Sequence, residues 1–227
     1  MFYLLLSFLF FQGLLGQEKK DSLVMQLHLR FEKSQLVANQ KYVSKTNDTL
    51  QIDTFRFYIS NIEIQYADQT ISKPKNNYHL VDLDFPETQR IPIDSYSKKS
   101  IQKITFAIGV DSLANVSGAL AGDLDPSKGM YWAWQSGYIN MKIEGKSPSC
   151  KTRKNQFQFH IGGYLKPNNA MRKVILMANT SKPTLDVVVD LAAIFSKISL
   201  ATTNSIMIPG KQAMQIADDS VNLFHLE

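Results

Sequence analysis

One hydrophobic rhythm recurs along most of this chain and limits what it can fold into. Met25, Leu27, Leu29 and Phe31 alternate with Gln26, His28 and Arg30, a period of two that places apolar side chains on one face of an extended strand and polar ones on the other. Residues 55–66 read as two more such runs broken at Ser60 and Asn61, and residues 78–83, 101–110, 130–144, 156–161, 172–179 and 184–190 continue the series. Turn formers separate them, as at Lys75, Asn76 and Asn77 or at Lys166, Pro167, Asn168 and Asn169. Helical signals come late: Asp190 is placed to cap residues 191–198, and Pro209 and Gly210 precede residues 211–218, where Ala213, Ile216 and Ala217 share one face. Many strands with short turns and only late helices predict an all-β fold, an antiparallel β-sandwich with one or two short helices near the C-terminus.

Residues 1–16 form an apolar run without a charge that ends in the small Gly16. Its apolar part is too short for a bilayer core of ~30 Å, which takes ~20 helical residues, so the run reads as a secretory signal peptide cleaved after Gly16. Residues 17–227 contain no linker-like tract and read as one domain. The single cysteine, Cys150, has no intramolecular disulfide partner and sits in the polar stretch 146–155, where it reads as incidental. The net charge of +5 is carried by lysines scattered among acids, unlike the concentrated basic face of a nucleic-acid binder. Gly-x-Ser-x-Gly, His-Glu-x-x-His, P-loop and dinucleotide fingerprints are missing from the sequence, so nothing in it favours an enzyme.

Both tryptophans lie in one short stretch. In an extended strand Met130, Trp132 and Trp134 point one way while Tyr131 and Ala133 point the other. A thioether beside two indoles suits a soft ion such as Cu(I), and suits an ordinary core more often. No two of the four histidines are spaced for one helical face or for alternate positions of one strand. His160 is the strongest candidate ligand: it ends a strand whose other face carries Phe157, Phe159 and Ile161, and Gly162 and Gly163 let the backbone turn after it. His28 shares a polar face with Gln26 and Arg30 and reads as solvent-facing, whereas His79 and His225 read as surface or rim residues. Met207 reads as a gap filler between a strand and the last helix. Asp111, Asp123 and Asp125 lack the spacing of a calcium loop and read as caps and turn formers.

The ordered set Gly109-Val-Asp111, Leu124-Asp-Pro126, Gly129-Met-Tyr-Trp-Ala-Trp-Gln-Ser-Gly-Tyr138, Glu144-Gly145 and Phe159-His-Ile-Gly162 resembles the MbnP-like family of bacterial secreted copper-binding proteins. Phe55-Arg-Phe-Tyr-Ile-Ser-Asn61 upstream, with Ile206-Met-Ile-Pro-Gly210 and Phe224 downstream, extends the likeness over most of the chain. The resemblance implies a β-sandwich in the periplasm or at the cell surface that stores or delivers one copper ion, without turnover of its own. It further implies His160 as a copper ligand, with His28, Met130 and Met207 as weaker candidates. Trp132 or Trp134 would serve as aromatic shell, or as the residue that a partner di-haem peroxidase oxidises to a copper-binding kynurenine. The family's histidine near the first strand falls closer to Phe31, where this chain has Glu32 and Lys33. The rival reading is a metal-free sandwich for adhesion or carbohydrate contact, with Trp132, Trp134 and Tyr138 as an open stacking platform.

Overall fold

Period-two segments become strands wherever a second layer can cover their apolar face, and here two layers cover each other. The computed structural model describes residues 22–135 and 137–227, so the proposed signal peptide lies outside the described residues. The first half runs β1 (Ser22–Phe31), β2 (Ser34–Gln35), β3 (Lys41–Val43), β4 (Thr49–Tyr66), β5 (Ile71–Ser72), β6 (Tyr78–Asp82), β7 (Arg90–Ser95), β8 (Ile101–Ile108) and α1 (Ser112–Val116). There follow β9 (Tyr131–Trp132), β10 (Gly137–Lys146), β11 (Gln156–Gly162), β12 (Arg172–Thr180), β13 (Thr184–Asp190), α2 (Ala192–Phe195), β14 (Ser205–Ile206), α3 (Lys211–Ser220) and β15 (Phe224–Leu226).

The smaller sheet is ordered β15-β13-β1-β2, with β7 on β1; the larger is β12-β8-β4-β10-β11-β14, with β3, β5 and β6 on β4 and β9 on β10. The architecture is the expected all-β sandwich. Most pairings are antiparallel, but β1 runs parallel to β13 and β11 parallel to β14. Met25, Leu27, Leu29 and Phe31 of β1 face Phe55, Phe57, Phe157 and Phe159 of the larger sheet in one buried core. Phe195 of α2 closes one end of that core, with ring centroids 5.5 Å from Phe157 and 6.2 Å from Phe31. Cys150 is buried in the same core, and burial pushes its thiol pKa up, which keeps it an unreactive packing residue. No helix among the described residues is long and apolar enough to cross a membrane.

Two strand expectations change in the folded chain. The break expected at Ser60 and Asn61 is a bulge inside one continuous strand. The β4–β8 register shifts between Ser60 and Glu63, Asn61 takes φ 51°, and its amide pairs reciprocally with Asn77. The run 130–144 is not one strand: the chain reverses after Trp132 and pairs it with Gly137, so β9 and β10 form a hairpin.

A second, smaller core lies on the outer face of the larger sheet, where Tyr58, Leu80, Val110, Ala114, Leu124, Met130, Trp132, Tyr138 and Ile139 pack together. The three aspartates hold the loop over this cluster. Asp111 caps α1 through Ala114 N at 3.0 Å, Asp123 accepts from Leu80 N at 3.1 Å, and Asp125 accepts from Ser127 N at 2.8 Å.

His79 is not the rim residue expected from sequence: it is 9% exposed, and its Nε2 is buried without a hydrogen-bond partner. Burial pulls its pKa below the ordinary value, an effect the nearby Asp123 carboxylate opposes. The folded chain therefore binds fewer protons at this ring than the unfolded chain does, so stability is present at neutral pH and is lost as pH falls below about 6.5. Urea unfolding from about pH 8 down to about pH 5 is expected to show this fall, and His79→Gln to flatten it. An unchanged slope in the variant would remove His79 as the cause.

Candidate functional site

Phe157, Phe159 and Ile161 of β11 point into the main core, so Gln158, His160 and Gly162 point to the outer face of the larger sheet. His160 is nonetheless only 7% exposed. Its Nε2 lies 2.7 Å from Oε1 of Glu144, on the neighbouring strand β10. The other ring nitrogen, Nδ1, makes no hydrogen bond among the described residues. The contact with His160 holds the Glu144 carboxyl below its usual pKa, and the charge of Lys142 adds to the effect.

Lys142 stands opposite His160 in the β10–β11 register and opposite Arg56 in the β10–β4 register. Both cations fasten the segment that precedes the hairpin. Lys142 Nζ donates to Gly129 O at 2.6 Å, and Arg56 Nη1 donates to Lys128 O at 3.1 Å. Arg56 is itself held by Asp82, with Nε 2.7 Å from Oδ2. Half-buried Lys142 has its pKa lowered by desolvation.

From this anchored segment β9 carries Trp132 onto β11. A Cβ on Gly162 would lie 2.7 Å from Trp132 Cζ3 and 2.7 Å from Tyr138 O, so only the missing side chain lets the indole rest against the strand there. Trp132 therefore packs two residues from His160 along the same face. Its ring centroid is 5.6 Å from that of Trp134, with the planes 45° apart. The two indoles differ sharply in exposure, Trp132 at 5% and Trp134 at 64%. Trp134→Phe is expected to remove the acrylamide-accessible, red-shifted part of the fluorescence and leave a blue-shifted, protected emission from Trp132. Loss of the protected component instead would reverse the assignment.

Met207 approaches from the other side of β11. Ser205 and Ile206 pair in parallel with Gln158 and Phe159. Continued by one residue, that register sets Met207 level with His160 and on its face. The segments stay side by side beyond this point, since a Cβ on Gly163 would lie 3.0 Å from Pro209 Cβ. Trp132 and the register position of Met207 thus flank His160 on one face of β11, and Trp134 packs against Trp132. Two of the expected site residues do not join them as neighbours of His160. Met130 is wholly buried in the small cluster with Tyr58, Leu80 and Leu124, a packing position. His28 faces outward from the opposite sheet, with Nε2 2.8 Å from Asp186 Oδ1, so the sandwich core separates it from His160.

Among the described residues no three His, Cys, Asp or Glu side chains cluster as a metal site. The groups on this face are the His160 imidazole with the Glu144 carboxylate bound to it, the Met207 thioether and an aromatic pair. The open stacking platform of the rival reading is not formed. Tyr138 is 1% exposed, its hydroxyl accepting from Leu120 N at 3.0 Å, and Trp132 is buried, which leaves Trp134 alone at the surface. Sequence reasoning missed Glu144 as the partner of His160, although both lie on polar faces of consecutive strands joined by the loop 147–155.

The fold and this face define a mixed-sheet β-sandwich that holds a covered histidine beside a tryptophan pair. The MbnP family model matches residues 20–208, and the chain belongs to the MbnP family. The solved structure of MbnP from Methylosinus trichosporium is similar in fold, with a TM-score of 0.64 at 15% identity, over 84% of this chain and 82% of that one. No curated protein matches the chain.

Proposed function

We propose that this MbnP family member is a secreted copper-binding protein of the periplasm or cell surface, which stores or delivers one copper ion without turnover of its own. The observation that supports the reading is the placement of Trp132, packed against Trp134, two residues from His160 along one face of β11, with the β11–β14 register bringing Met207 alongside. One imidazole with one thioether fits Cu(I), which accepts soft ligands in low coordination number, better than Cu(II), which prefers a tetragonal set of nitrogen and oxygen. Trp132 supplies an apolar wall that keeps water from a soft ion.

An intact indole nitrogen is a donor only and offers copper no lone pair. Oxidation of one tryptophan to kynurenine, as the family resemblance implies, would cleave the indole C2–C3 bond with peroxide-level oxidant from the peroxidase, release C2 as formate, and leave an aryl amine and a ketone as donors. A partner di-haem peroxidase would meet exposed Trp134 first, with Trp132 behind it.

The test is copper titration of the protein under reducing and oxidising conditions, with metal per chain measured after dialysis. One copper retained per chain, under reducing conditions above all, supports the reading. No retained copper, in material from the native host whose intact mass also lacks the change that kynurenine formation gives, an oxygen gained with the indole C2 carbon lost, overturns it.

A further inference from the structure

We propose that Glu144 is a positioning residue for the site, fixing His160 as the Nε2–H tautomer so that Nδ1 is the atom offered to a metal. The inference rests on the copper reading above only for its purpose; the tautomer stands on the geometry of the metal-free chain.

At neutral pH a carboxylate has acceptors and no proton to donate. With Oε1 of Glu144 2.7 Å from Nε2 of His160, the proton in that contact must sit on the imidazole nitrogen. A neutral ring protonated at Nε2 carries its lone pair on Nδ1, and Nδ1 is the nitrogen left without a hydrogen bond among the described residues. The carboxylate is well placed to hold this state. Glu144 sits on β10 next to the register position that faces His160, between Lys142 and the amide of Gln158, whose Nε2 is 3.5 Å from the same oxygen. Lys142 is drawn away to Gly129 O, so it supports the negative charge of Glu144 without occupying its oxygen. Ligating imidazoles commonly donate their second N–H to a carboxylate, which fixes the ring and raises its basicity. Here the carboxylate is already in place before any metal arrives.

Substitution Glu144→Gln nearly conserves shape but presents both a donor and an acceptor to Nε2, so it releases the tautomer preference. The decisive measurement is the long-range ¹H–¹⁵N spectrum of the metal-free protein, in which the protonated and unprotonated ring nitrogens of His160 have distinct shifts. The wild type is expected to show protonated Nε2 and bare Nδ1, and E144Q a mixture or the reverse. Competition with a Cu(I) chelator is expected to show about tenfold to a hundredfold weaker binding in E144Q. A wild type protonated at Nδ1, or an E144Q variant with unchanged tautomer and unchanged affinity, overturns the proposal. A wild type with the expected tautomer that takes up no Cu(I) overturns the copper reading and leaves the assignment of Glu144 standing.

Discussion

His160→Ala is expected to bring retained copper down to background while the far-UV circular dichroism of the sandwich stays unchanged. The variant removes the one imidazole on that face of the larger sheet and leaves Met207 as a lone thioether, too weak a donor to hold copper through dialysis. The structural cost should be modest. Glu144 loses its partner, but its side chain is 28% exposed and water can replace the lost hydrogen bond, so the penalty falls at the low end of the ~1–3 kcal/mol typical of an orphaned buried group. His28→Ala is the matched control: His28 is held by Asp186 on the opposite sheet and should retain copper fully. Loss of copper from the His28 variant, or full retention by the His160 variant, would mean that the ion sits elsewhere.

How much of this was legible beforehand depended on whether a signal is local. β1 and β13 were readable because each buries one face, and period two is written into every pair of residues. Their parallel pairing was not, because it joins segments at opposite ends of the chain whose alternation is the same in either direction. The β9–β10 reversal had one local signal, the turn dipeptide Ser136-Gly137, which the aromatic alternation through Trp134 outweighed. At the site, the outward direction of His160 followed from its strand. Its 2.7 Å partner did not, since a one-residue change in the β10–β11 register would have put another side chain beside it. The charge of Glu144 was visible in the sequence, but which group it would neutralise was a property of the pairing. His79 fails in the same way, reading as a rim histidine because nothing local shows that β6 pairs it with Ile59, on the face that carries Val81 into the main core.

Gly162→Val is expected to unseat Trp132, and with it the apolar wall of the site. A branched side chain must occupy space now filled by the indole, and at 2.7 Å from the Tyr138 carbonyl oxygen the backbone of β10 gives it no second place to go. Overpacking of this kind costs about 1–3 kcal/mol, and more where backbone is the obstacle. For a domain of this size that corresponds to a thermal midpoint lower by roughly 2–4 °C per kcal/mol. The spectroscopic consequence is more specific than the loss of stability: protected Trp132 emission should move to the red and become quenchable, because the ring can only swing outward, toward Trp134 and solvent. Gly210→Ala is the control. No atom lies within 4 Å of the added Cβ, so even with the weaker helix cap that Ala gives at this N-cap position, the protected Trp132 emission should stay unchanged. Copper retention in the Gly162 variant then separates two roles for the tryptophan. With His160, Glu144 and Met207 all present, a fall in Cu(I) affinity assigns the loss to the missing wall. Undiminished affinity together with a displaced indole would show that imidazole and thioether suffice and that Trp132 serves the small core alone.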